Sequence, residues 1–76
     1  MNQMTHIRAA DLWMRNIFDA KAARAGASVR RSVNDVEQIV GRAAFERELR
    51  RRGFHAVENA GQFIIFCNNE PLRVLC

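Results

Sequence analysis

The chain has a single lysine, Lys21, no tyrosine, one proline and two cysteines among its 76 residues. Each scarcity closes a route. Cys67 and Cys76 have no CxxC spacing, so neither a zinc site nor a disulfide framework can be built from them. The most apolar stretch, Phe63 to Cys67, is far short of the ~20 residues a membrane-spanning helix needs. Residues 1–8 contain no apolar core of the length an export signal requires, which predicts a cytoplasmic protein with reduced thiols. The glycines form neither a P-loop nor a dinucleotide fingerprint, and no motif nominates a cofactor or a metal. His6 and His55 are the only histidines, and neither has a Ser, Cys or carboxylate at a catalytic spacing.

Arginine is abundant. Of the twelve basic residues, eleven are arginine, against eight acids, for a net charge of +4. The charge is lopsided: residues 1–52 carry +5 and residues 53–76 carry −1. Arginine presents a planar fork of donors that fits phosphate and carboxylate, so the excess points to nucleic acid, a nucleoprotein or an acidic protein surface. A genomic preference for arginine over lysine would produce the same composition.

Hydrophobic spacing predicts helices first. Thr5 is an N-cap for a helix over residues 6–25, with Ile7, Ala10, Met14, Ile17, Phe18 and Ala25 on one stripe. Trp13 widens that stripe and Leu12 faces away from it, which makes the two candidates for a protein contact surface. Asp11–Arg15 and Arg15–Asp19 are spaced as i,i+4 ion pairs. Gly26, Ala27 and Ser28 end the helix, and Val29 to Ser32 reads as extended. Asn34 with Glu37, or Ser32 with Asp35, caps a short second helix that turns Val33, Val36 and Val40 inward. Gly41 interrupts it. A third helix over residues 42–52 turns in Phe45 and Leu49, and Gly53 stops it after three consecutive arginines.

Strand patterns follow. Phe54–Glu58 and Gln62–Cys67 flank the turn residues Asn59, Ala60 and Gly61, and Leu72–Cys76 forms a further strand after Pro71. The middle strand is apolar on both faces, with Phe63, Ile65 and Cys67 on one side and Ile64 and Phe66 on the other. The expected fold is α+β in a single domain, with N-terminal helices followed by a three-stranded antiparallel β-meander. Residues 1–27 form its helical N-terminal part, and residues 28–76 the helices packed on the sheet. So small a core and so two-sided a strand predict a homodimer.

The arginines of the third helix dominate the functional reading. Arg47, Arg50 and Arg51 project from its exposed side and are joined by Arg30 and Arg31 to form an anion-binding patch. Glu46–Arg50 and Glu48–Arg52 pairs would neutralise part of it, and Arg52 lies near the core side with Phe45 and Leu49. The helix–Gly41–helix segment lacks the turn and polar start of a recognition helix.

Two resemblances accompany these residues. Val29-Arg30-Arg31-Ser32, Asp35-Val36-Glu37, Val40-Gly41-Arg42, Phe45, Arg52-Gly53-Phe54, Glu58-Asn59, Gly61-Gln62, Phe66-Cys67-Asn68 and Pro71-Leu72-Arg73 together resemble a family of small uncharacterised bacterial proteins over about two thirds of the chain. Its members often carry the label phosphoribosylanthranilate isomerase. That activity belongs to a (β/α)₈ barrel of roughly 200 residues or more, so no isomerase residue transfers to these 76. The third helix, Gly53-Phe54, Gly61 and the hydrophobic strand after it are similar to HicA-type toxins, messenger-RNA nucleases with a double-stranded-RNA-binding-like fold. In that family a Ser-His pair follows the glycine and the His is catalytic. Gln62 and Phe63 stand there instead, so the resemblance implies an RNA-binding-like scaffold without the catalytic group. The function expected is therefore a small non-catalytic basic module acting on nucleic acid or a nucleoprotein complex. The alternatives are a phage-type protein inhibitor or adaptor, anti-CRISPR proteins being one example, and a degenerate HicA-like nuclease.

Overall fold

Phe63, Ile65 and Cys67 can escape water only if something packs on their side of the strand, and four helical segments do so. The computed structural model describes residues 9–76. Thr5, His6 and Ile7, to which the sequence assigns roles, lie outside the described residues. The element order is α1 (Ala9–Asp19), α2 (Lys21–Arg24), β1 (Ser28–Ser32), α3 (Val33–Ile39), α4 (Arg42–Arg52), β2 (His55–Asn59) and β3 (Gln62–Phe66). The fold is α+β, with helices at the N-terminal end and a three-stranded antiparallel sheet of order β1-β3-β2.

The expected first helix is broken. At Ala20 the backbone is extended (ψ 147°), and α2 begins at the next residue. On an uninterrupted helix Ala23 would lie opposite Ile17 and Phe18. The break turns Ala23 into the core and leaves Ala25 exposed, reversing the role expected for Ala25. The start of α3 is also resolved. The Ser32 hydroxyl accepts the Asp35 N–H at 3.2 Å and is the N-cap. Asn34 lies inside the helix, where its side chain accepts from Gln38.

The sheet has the expected central strand but a different third member. β2 and β3 form a hairpin closed by Ala60 and Gly61 at φ 51° and 76°, the paired positive values of a type I′ turn. The other edge of β3 pairs with β1, from Ser28↔Phe66 to Ser32↔Gln62. Two further hydrogen bonds extend that ladder, Val33 N–H to Gly61 O at 2.9 Å and Cys67 N–H to Ala27 O at 3.1 Å. The place expected for Leu72–Cys76 beside β3 is taken by β1, and Leu72–Cys76 runs as irregular, exposed chain.

The core lies between the helices and the face carrying Phe63, Ile65 and Cys67. Ile17, Val36, Phe45 and Ile65 are its most completely buried large side chains. Each contributes about 1.5–3 kcal/mol by leaving water. Phe45 stacks on Phe63 with ring centroids 4.9 Å apart, and Phe18 meets Phe54 at 5.7 Å. Trp13 and Met14 pack against this cluster, so Trp13 belongs largely to the chain's own core. Leu12 remains exposed.

Gly53 sets the direction of β2. Its φ of 74° lets its own N–H reach Arg50 O and the Phe54 N–H reach Leu49 O, closing α4 in a Schellman motif. A Cβ at this position would also approach the Asn69 Cβ to 3.3 Å. Gly53→Ala is expected to lower unfolding free energy by roughly 1–2 kcal/mol, read as a lower urea midpoint at unchanged slope. An unchanged midpoint would show that the helix end tolerates another conformation.

Candidate anion-binding groove

Burying Phe45 and Leu49 fixes the rotation of α4, and that rotation decides where its arginines point. Arg47, Arg50 and Arg51 are exposed, and Arg52 is half-buried. With Arg15 of α1 they line a groove of about 1060 Å³ between α1 and α4, whose wall also holds Ala10, Met14, Val40 and Ala44. Two carboxylates, Asp11 and Glu48, share the groove with the five guanidinium groups.

Part of this charge is neutralised internally. Glu48 accepts from Arg51 Nε at 3.0 Å and Nη2 at 2.6 Å, and from Arg52 Nε at 2.6 Å. The Arg51 hydrogen bonds, opposed by partial desolvation and aided by Arg52, lower the Glu48 carboxyl from its ordinary 4.5 to about 2. Arg52 also lies over the Phe18 ring, 4.2 Å from its centroid, as its place near the core side predicts. Arg50 meets Glu46 only at 3.8 Å, with both side chains well exposed. Such a surface pair is worth little. Arg15 and Arg47 make no ion pair with any described residue. The expected Asp11–Arg15–Asp19 pairing is absent, and the freedom expected of Arg51 is lost to Glu48.

The structure separates the other two arginines from this group. α4 packs on the sheet face that carries Phe63 through the Phe45–Phe63 stack. Arg30 is opposite Ile64 in the register and so points to the reverse face. Arg31 lies beside Phe63 on the helix-covered face, at the β1 edge, and donates to Arg30 O at 2.6 Å. Arg47, Arg50 and Arg51 therefore form one surface, with Arg30 and Arg31 outside it.

Two arginines were hidden from sequence reasoning. Arg15 forms part of the α1 wall of the groove; its two acidic neighbours at i±4 mark it for ion pairs that do not form. Arg42 holds Glu37 at 3.0 Å and Glu58 at 3.1 Å while its guanidinium sits 5.2 Å from the Phe63 ring centroid. It thus ties α3, α4 and β2 together, and the hydrogen bonds it donates to Glu58 and then Glu37 raise its pKa further. The Glu37–Arg42 separation spans Gly41 and matches no helical spacing, so only the fold reveals it.

Among the described residues no group of three or more His, Cys, Asp and Glu could hold a metal. His55 stands opposite Phe66 in the sheet. Cys67 is buried, and burial raises its thiol pKa against the opposing charges of Arg52 and Arg31. Among the described residues no helix is long and apolar enough to cross a membrane. No protein-family model matches the chain, and comparison with curated proteins and with solved structures gives no match either.

The low pKa of Glu48 gives a signed pH dependence. A carboxylate held below its ordinary value stabilises the fold above that value and loses the contribution as pH falls from about 4.5 toward 2. Over that window the wild type should lose on the order of 1–2 kcal/mol more than Glu48→Gln, solvent screening having reduced the full shift. Urea midpoints measured against pH for both proteins check this; parallel curves would contradict it.

Proposed function

We propose that this chain is a small, non-catalytic basic module that binds nucleic acid, or a nucleoprotein, through phosphate groups seated between α1 and α4. The observation that carries this reading is the groove itself, where five guanidinium groups from two helices face two carboxylates. Arg15 and Arg47 carry no internal ion pair among the described residues, and Arg50 is held weakly. Phosphate oxygens complete the hydrogen-bonding forks of such arginines, and displaced counterions supply the driving force. Among the described residues no aromatic side chain lines the groove, so it suits the backbone of a nucleic acid rather than its bases. A cytoplasmic location goes with this reading, and a homodimer is not required by it.

A protein-binding inhibitor or adaptor of phage type is the second reading. The exposed apolar side chains Leu12, Val74 and Leu75 favour it, at 49%, 84% and 85% exposure. In that case the same arginines would meet an acidic surface on a protein partner.

The double variant Arg47→Glu with Arg50→Glu separates the readings. It is expected to abolish retention on heparin and on RNA while leaving the circular dichroism spectrum unchanged. Retention equal to the wild type would mean that the groove is only a solvated helix surface. Capture of one stoichiometric protein partner, insensitive to nuclease, would transfer the proposal to the second reading.

A further inference from the structure

The sheet has a second face, on the side away from the groove. Reading across the register, it carries Ser28, Phe66 and His55 in one row, Arg30, Ile64 and Val57 in the next, and Ser32, Gln62 and Asn59 in the last. The helices pack on the other side. Ile64 and Phe66 lie outside the core cluster and the side chains packed against it, and Val57 is 43% exposed. The face thus has an apolar centre with an aromatic ring on the middle strand. Around that centre stand a guanidinium, an imidazole and the side-chain amides of Gln62 and Asn59.

Charge decides what fits there. None of the nine residues is a carboxylate, because Glu58 alternates to the helix-covered face beside Phe63. A second copy of the same face would bury Arg30 against a surface with no acid to receive it, and an unpaired buried charge is strongly destabilising. A partner that is anionic and also offers flat apolar surfaces meets both needs. Unpaired bases stack on the accessible part of a half-buried aromatic ring such as Phe66, while their phosphates meet the guanidinium and their edges meet side-chain amides.

We propose that this open face is a platform for a single-stranded nucleic acid, with Phe66 as the stacking ring and Arg30 as the phosphate contact. Gln62 and Asn59 border it and supply donors and acceptors for base edges. The site is physically distinct from the groove between α1 and α4, so variants distinguish the two surfaces even though both concern nucleic acid.

The test is a fluorescence-anisotropy titration with a labelled mixed-sequence RNA of about eight nucleotides, within the length one such platform covers. Phe66→Ala should weaken binding about tenfold, the loss of one stacked base. Phe66→Tyr should retain affinity, and Arg30→Ser should weaken binding and reduce its salt dependence. In an NMR titration of the unmodified protein, the amides of Val57, Ile64 and Phe66 should shift, which decides the matter if Phe66→Ala fails to fold. Absence of single-strand binding would overturn the proposal. So would binding lost in the groove double variant but unchanged in the Phe66 and Arg30 variants, which would leave the groove reading intact. A wild-type dimer split by Phe66→Ala would assign the face to a second copy and overturn it as well.

Discussion

β3 is apolar on both faces, and the helical segments of this fold cover only one of them. The covered face takes Phe63, Ile65 and Cys67 and sets the positions of α1, α3 and α4 through Ile17, Phe18, Val36, Phe45 and Leu49. β1 and β2 occupy both edges of β3, so its backbone is satisfied from both sides. Much else follows from this arrangement. α1 and α4 both pack against α3 and leave the groove between them, and among the described residues no helix covers Ile64 and Phe66, which stay half-buried.

Carboxylates, more than arginines, determine the electrostatics. Glu48 gathers Arg51 and Arg52 into one compact cluster, and Arg42 is shared between Glu37 and Glu58. These guanidinium groups serve the fold: Arg52 covers Phe18 and Arg42 covers Phe63. Among the described residues lining the groove, what remains for an external anion is Arg15 and Arg47, with Arg50 weakly held. A run of three arginines at the end of a helix thus contributes one member to the available charge. The other two come from a residue earlier in α4 and one across the groove.

Much of the local structure was legible in the chain. The helical phase of Val33, Val36, Phe45 and Leu49, the stop at Gly53, the Ala60–Gly61 turn and the two-sided apolar pattern of β3 are all set by near neighbours in sequence. The third strand was not. Ser28–Ser32 has a single buried apolar residue, Val29, and two arginines, whereas Leu72–Cys76 has the stronger strand composition. β1 joins the sheet through partners thirty or more residues away, secured at its ends by the Val33–Gly61 and Ala27–Cys67 hydrogen bonds. A tertiary pairing of that kind leaves no periodic trace. The candidate site was half legible for the same reason: α4 spacing places Arg47 and Arg50 together, but only the fold brings Arg15 to them and carries Arg30 to the other side.

The salt dependence of binding tests most directly whether the unpaired guanidinium groups act on phosphate. Three available arginines in the groove predict that the logarithm of the association constant for duplex nucleic acid falls linearly with the logarithm of salt concentration, with a slope of about −2.7. A slope near zero would contradict phosphate binding in the groove, whatever the affinity.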